Sequence, residues 1–246
     1  MAILVTRPHP DNQATAAALR GMGHEVLLAP MLRFEAVASA DDLDAGYDAV
    51  IATSANALRT IDLAGHGLLA LPLFAVGEHT AEAARAAGFA KVTSADGDAD
   101  ALRDLLRARV KAKKLKRSSR LLYLAGADLS RDLAGELGAD GFDVTVLTIY
   151  RMVALSTLPH DVLDAFAANR VKAVLHYSAR SARAFIEAVR GAGIEISALS
   201  LPQCCISGNL ATILREAGAT QVLAASEPNE NALFEALSRA LRSGLA

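Results

Sequence analysis

The chain has no tryptophan, and aromatic residues fill only 4% of its 246 positions. Its core must therefore pack through aliphatic side chains and alanine, which suits Ala-rich helices on Val/Leu/Ile strands. Cysteine is confined to the adjacent pair Cys204 and Cys205, in an apolar run that reads as a buried strand. A disulfide framework is excluded, and without Cys or His partners at ligand spacing no metal site is expected. A reduced, cytoplasmic setting is the expectation. No run of 18 apolar residues exists, so no membrane-spanning helix is expected. No charged leader precedes a long apolar segment, so no signal peptide is expected either. The formal charge of −2 creates no global field that would draw nucleic acid or a membrane surface. The Gly-rich dinucleotide fingerprint, the P-loop, HExxH and the nucleophile elbow are all missing. Any chemistry would then rest on positioning a reactive substrate.

What is present is a repeat. Val5 matches Tyr123, Leu19 matches Leu137, Gly23 matches Gly141 and Val26 matches Val144, all at one offset. The segment 50–59 (Val-Ile-Ala-Thr-Ser-Ala-Asn-Ala-Leu-Arg) matches 174–183 (Val-Leu-His-Tyr-Ser-Ala-Arg-Ser-Ala-Arg), and 95–102 matches 226–233. A repeat of this length means two similar domains. With 52% of residues apolar, each half can bury a core of its own. Two such domains facing each other would make a cleft for a ligand.

Short apolar runs predict strands at 2–6, 25–29, 48–52, 73–76, 120–124, 143–149, 172–177, 203–207 and 221–224. Helical periodicity predicts helices at 12–22, 55–63, 80–87, 129–139, 181–192, 210–217 and 231–242. This alternation implies parallel sheets covered on both faces. Two stretches, 33–38 and 148–154, alternate polar and apolar residues at equivalent places in the repeat, as two pairing extended segments would. The basic run 111–120 reads as a solvated helix end, with cations favourably placed at the C-terminus.

In parallel α/β sheets ligands bind beyond the carboxyl ends of the strands. The loops there carry Thr6 and Arg7; Thr53, Ser54, Ala55 and Asn56; Gly77, His79 and Thr80; and, in the second copy, Ser178, Ala179 and Ser181, then Asn209 and Leu210. Small residues, hydroxyls and helix N-terminal amides are the chemistry for holding carboxylates or phosphates. Several of these residues also fit plain helix caps. Lone histidines, His79 and His176, read more simply as structural than as acids.

The same residues carry a resemblance. Val5-Thr6-Arg7-Pro8, Thr53-Ser54-Ala55-Asn56-Ala57, Val76-Gly77-Glu78-His79-Thr80, Ile149-Tyr150-Arg151-Met152-Val153 and Ser178-Ala179-Arg180-Ser181-Ala182, in this order and spacing, resemble the uroporphyrinogen-III synthases over essentially the whole chain. The resemblance implies a bilobed α/β fold of two flavodoxin-like parallel-sheet domains joined by a two-stranded β linker, one domain being discontinuous. The domains would be 1–33 plus 155–246, and 38–150, with linker strands at about 33–38 and 148–155. It implies a cofactor-independent lyase that cyclises hydroxymethylbilane, inverts the last pyrrole ring and loses water. Tyr150 would be the catalytic group, and the loop residues above would bind the substrate's carboxylates. It further implies a monomer whose partner is a polycarboxylate tetrapyrrole, with transient contact to the upstream hydroxymethylbilane-forming enzyme. The chain departs from the family pattern where Ser207 and Leu210 replace a glycine and a threonine, and where the loop 125–128 has no arginine. The alternatives are a non-catalytic two-lobed cytosolic binding protein for an anionic ligand, and a tandem receiver-like protein, which the missing acidic strand ends disfavour.

Overall fold

The computed structural model describes residues 2–37, 46–61, 63, 67–129 and 131–243. The expected start of one domain at Ala38, and Asp62 and Ser130 within two expected helices, lie outside the described residues. Two compact units emerge. The first comprises Met1–Arg33 with Val153–Ala246, and the second Phe34–Met152.

The first unit holds strands β1 (Ala2–Val5) and β2 (Glu25–Leu28), with helix α1 (Asp11–Gly21) between them. The second unit follows. β3 (Leu32–Ala36) begins on the unit boundary and leads to β4 (Ala49–Ala52), α2 (Ala55–Thr60), β5 (Pro72–Ala75), α3 (Glu78–Ala86), β6 (Lys91–Ser94), α4 (Ala99–Lys111), β7 (Arg120–Gly126), α5 (Leu133–Ala139) and β8 (Asp143–Ala154). The chain then completes the first unit with α6 (His160–Ala167), β9 (Val171–His176), α7 (Ala179–Gly191), α8 (Glu195–Ser200), β10 (Gln203–Cys205), α9 (Gly208–Glu216), β11 (Val222–Ala224) and α10 (Glu230–Ser243).

The sheets run β11-β10-β9-β1-β2 and β3-β8-β7-β4-β5-β6. The five strands of the first sheet are parallel neighbours, as are β8-β7-β4-β5-β6 of the second. Set against the repeat, the first sheet joins β1 and β2 of the first copy to β9, β10 and β11 of the second, and the second sheet joins β7 and β8 of the second copy to β4, β5 and β6 of the first, with β3 added at its edge. A cut in mid-chain, which the repeat alone suggests, would therefore sever both sheets.

Residues 33–36 of the first alternating stretch lie in β3 and the whole second stretch in β8, and these strands are neighbours. Val37 N–H donates to the Ile149 carbonyl at 2.9 Å and Leu155 N–H to that of Met31 at 3.0 Å, so residue numbers rise on one strand as they fall on the other. β8 is one strand of 12 residues, where the sequence suggested two segments.

Burial explains the continuous apolar strands. β1 and β4 are fully buried, as central strands covered on both faces must be. Alternate residues enter different cores. Leu4, Val174 and Cys205 pack on one face of the first sheet, while Ile3, Val5, Leu175 and Cys204 pack on the other. The neighbouring cysteines thus diverge as free thiols, and burial pushes both up to about 12, which leaves them inert as nucleophiles.

Helix ends follow local rules. Ser54, Asp98, Asp132 and Ser178 cap their helices by accepting amide N–H bonds. Gly88 and Gly218, at φ +99° and +100°, end α3 and α9 in matched left-handed turns, with Phe89 N–H reaching Ala84 O and Ala219 N–H reaching Leu214 O. Some elements escaped the sequence reading. β6 has one apolar residue in Lys-Val-Thr-Ser, and α6 and α8 are short. The basic run at and after the end of α4 is exposed except at Leu115 and Ser119, which are buried, and Arg120, which is partly buried.

Candidate functional site

In the second unit the carboxyl ends of β4, β7 and β8 gather a set of hydroxyls. Tyr150 lies in β8, opposite the last residue of β7, half-buried. Its ring meets Phe34 of β3 edge-on at 5.3 Å, and its phenol donates to Ser54 Oγ at 3.4 Å. Tyr150 is opposite Gly126, across a register shift, and Ala127 N–H donates to the Tyr150 carbonyl at 2.8 Å. A Cβ on Gly126 would lie 2.7 Å from Tyr150 Cζ and 2.8 Å from its Oη, so the bare glycine backbone is a floor for the ring. Ser54 also accepts the Asn56 N–H at 3.2 Å, capping α2, whose first residue Ala55 is buried. Beside it, Thr53 Oγ1 lies 2.8 Å from the phenol of Tyr123. Burial raises the Tyr123 phenol above its usual value; the Thr53 contact acts the other way and nearby Tyr150 reinforces the rise.

One strand further, Gly77 caps α3 in extended backbone. Glu78 and His79 are exposed while Thr80 is buried. In the first unit the matching turn, Ser207 to Leu210, repeats this pattern. Asn209 is exposed, and Leu210, at Thr80's place, is a core side chain. The Ser178 turn is a compact cap: Ser178 Oγ accepts the Ser181 N–H at 3.1 Å and donates to Ser181 Oγ at 2.9 Å, with Ser181 buried and Ala179 partly so.

The side chains of five expected site residues, Thr6, Ala55, Thr80, Ser181 and Leu210, are buried instead of facing a ligand. Thr6 is buried, and its hydroxyl donates to the Leu175 carbonyl at 2.8 Å, tying β1 to β9. Its amide donates to the same carbonyl and its own carbonyl accepts the Met31 N–H, so Thr6 is committed to the fold. The side chains of Ser181 and Leu210 are likewise interior groups. Thr6→Val should lower stability by about 1 kcal/mol, the net value of one such bond. It should leave the substrate KM unchanged, which denaturant titration and steady-state kinetics would check.

Arg7 is held within its own unit. It donates to Asp11 at 3.1 Å and to Glu230 Oε1 at 3.5 Å, and its guanidinium lies 4.8 Å from the centre of the Tyr177 ring. Glu230 Oε1 also accepts from Thr15 at 2.6 Å and Tyr177 at 2.8 Å. Burial, with Glu230 adding to it, raises the Tyr177 phenol. His176 is a core histidine. Its Nε2 lies 2.9 Å from Gln203 Oε1, and burial pushes it down to about 4. Gln203 Nε2 donates to two carbonyls, Ala198 and Leu201, so Oε1 must face the ring and His176 carries its proton on Nε2.

Tyr123 and Glu230 are the groups that sequence reasoning passed over. Tyr123 left one signal, a lone phenol inside Leu121-Leu122-Tyr123-Leu124. Glu230, 223 residues from Arg7, left none. Among the described residues no group of three or more His, Cys, Asp or Glu is placed to hold a metal ion. No helix among them is long and apolar enough to cross a membrane.

The fold is similar to that of two solved structures. One is a mutant uroporphyrinogen III synthase from Thermus thermophilus, with 20% identity, coverage of 99% of each chain and a TM-score of 0.52. The other is the uroporphyrinogen-III synthetase of Helicobacter pylori, with 21% identity, coverage of 98% of this chain and 99% of that one, and a TM-score of 0.58. At such identities the likeness speaks for the fold. No curated protein matches the chain significantly. The family evidence is the match of residues 13–235 to the model for uroporphyrinogen-III synthase HemD, and on it the chain belongs to the uroporphyrinogen-III synthase family.

Proposed function

We propose that this chain cyclises hydroxymethylbilane to uroporphyrinogen III, with inversion of the last pyrrole ring and loss of water, and that Tyr150 is its general acid. The substrate's terminal hydroxyl leaves from a carbon conjugated to a pyrrole, so the cation left behind is stabilised by the ring nitrogen. The protein has little bond-making to do. It must fold the chain of pyrroles, assist departure of the hydroxyl and hold the cation until the ring closes.

The pose of Tyr150 carries this reading. Its phenol is half-buried between Phe34 and the Gly126 backbone, with its hydroxyl at the Ser54 turn. The phenol proton passes to the departing hydroxyl, which leaves as water. Inversion requires the cation to bond first to the already substituted α-carbon of the last pyrrole; the old bond from that carbon to its methylene then breaks, which turns the ring and leaves a second pyrrole-stabilised cation. Closure of that cation at the ring's free α-carbon releases one proton, which restores the phenol, so the protein ends as it began. The turns at 53–56 and 77–80, and in the other unit their repeats at 178–181 and 207–210, each offer groups that suit a carboxylate. Helix N-termini supply positive dipole ends there, where the net charge of −2 supplies no attraction. Arg7 contributes once a carboxylate competes with Asp11 and Glu230 for its guanidinium.

A coupled assay tests the reaction. Hydroxymethylbilane is generated in situ, the purified chain is added, the product is oxidised and porphyrin isomers I and III are separated. Isomer III should form in proportion to added protein. Isomer I alone, the product of spontaneous closure, from a folded sample would sink the proposal in favour of a binding protein.

A further inference from the structure

We propose that Tyr123 is a positioning residue for carboxylate binding, acting through Thr53; this deepens the functional reading above and rests on it. Tyr123 is 2% exposed and cannot touch a substrate. It sits in mid-strand on β7, paired with Ile51 and Val146, and its ring packs among Ile51, Phe74, Leu121 and Leu137. A phenol in such surroundings must place its one proton on an acceptor. The acceptor in reach is Thr53 Oγ1, at 2.8 Å.

The direction of this bond has a consequence at the surface. With Tyr123 as donor, one lone pair of Thr53 is occupied from below, and the threonine's own proton is free to turn toward the partly exposed end of β4. Thr53 then presents a donor to whatever lies beyond the strand. The reverse arrangement would strand the Tyr123 proton among aliphatic groups and would turn lone pairs outward, against a carboxylate. Burial works in the same sense, because it keeps the phenol protonated.

The repeat shows that the fold does not require this pair. The position equivalent to Tyr123 is Val5, buried in the first unit's core, and the position equivalent to Thr53 is Tyr177, which turns to Glu230 instead. The same strand geometry thus accepts an aliphatic residue. A hydroxyl placed there in one copy serves the turn above it, and the ligand class that an enforced donor selects is an anionic oxygen acceptor, a carboxylate.

The test uses Tyr123→Phe, Thr53→Val and the double variant in the full chain. Two readouts are needed: the Kd for uroporphyrin III, used as a polycarboxylate tetrapyrrole probe, from fluorescence quenching, and KM and kcat for isomer III formation. Thermal unfolding first establishes that each variant folds. Tyr123→Phe should weaken Kd and raise KM by about 5–10-fold, the range expected for one hydrogen bond to a charged group, with kcat within about twofold. Thr53→Val should do the same, and the double variant should add nothing. Unchanged Kd and KM in a folded Tyr123→Phe protein, or additive effects in the double variant, would overturn the proposal. If wild type makes no isomer III while the Kd pattern holds, the synthase reading fails and this one stands; isomer III with a flat Kd series is the opposite result. A wild-type chain that does not bind the probe counts against both.

Discussion

Gly126→Ala should lower kcat for isomer III formation by about 10–100-fold, as much as removing the Tyr150 hydroxyl itself, which gives up general-acid assistance at the low end of its usual range. The change adds one methyl group and no charge. That methyl would lie 2.7, 2.8 and 3.1 Å from Cζ, Oη and Cε1 of Tyr150, inside contact distance of the hydroxyl-bearing end of the ring. The ring cannot simply shift aside, because Phe34 meets it edge-on at 5.3 Å. It must tilt or lift, and its hydroxyl then leaves Ser54. Gly126 has no positive φ, so the effect is steric rather than one of backbone conformation. Overpacking of this kind also costs about 1–3 kcal/mol of stability, so kinetics must be measured where the variant is fully folded. Two comparisons separate the causes. Tyr150→Phe keeps the ring and its packing but removes the proton, and should show the same kcat loss with wild-type stability. Gly126→Ala combined with Tyr150→Phe should be no slower than either single variant, since both remove one function. Full activity in a folded Gly126→Ala protein would mean that the observed pose of Tyr150 is not the one that works.

Acid should destabilise the first unit through His176. His176 titrates at 6.5 when unfolded and is pushed down to about 4 in its buried site, where Gln203 accepts from its Nε2. Between these values the unfolded chain binds a proton that the folded chain refuses, so unfolding becomes more favourable as pH falls. The contribution is fully present above 6.5 and is lost on the way down to about 4. At about 1.4 kcal/mol per pH unit the gap amounts to about 3 kcal/mol, a large share of a typical domain's stability. Asp140, which Arg103 and Arg107 hold well below the usual carboxylate range, weakens the second unit at lower pH still, below 3.8. Urea titrations at pH 7, 5.5 and 4.5 should give a falling stability in wild type and a much flatter line in His176→Gln. That variant loses some stability at pH 7 as well, so the slope decides. An unchanged slope would mean that the histidine is not the group being charged.

Much of the architecture was legible because it rests on short-range physics. Alternation of apolar runs with helical periods marked β1, β4, β7 and their helices, since a central parallel strand must be apolar on both faces and a covering helix on one. Ser54 and Ser178 were recognisable as helix caps, because capping is settled within a few residues. Tyr150 was named from the resemblance, and the loops from their place after strands. Elements with weak periodicity, such as β6 and α8, escaped because tertiary packing rather than their own pattern holds them.

By itself, then, the sequence determined the strand and helix alphabet, the twofold repeat, the absence of metal-ligand spacing and the turns that could meet an anion. Tertiary structure alone decided which strands share a sheet and which hydroxyls are spent. The repeat fits one cut in mid-chain as well as an exchange of halves, because each copy offers the same apolar faces; only packing selects β1 beside β9 and β7 beside β4. Thr6 and Thr53 look alike in sequence, each a threonine at a strand end. One is used up by the Leu175 carbonyl 169 residues away, and the other is aimed by a phenol 70 residues away. Such partners meet only once the sheets have formed, and no local pattern records them.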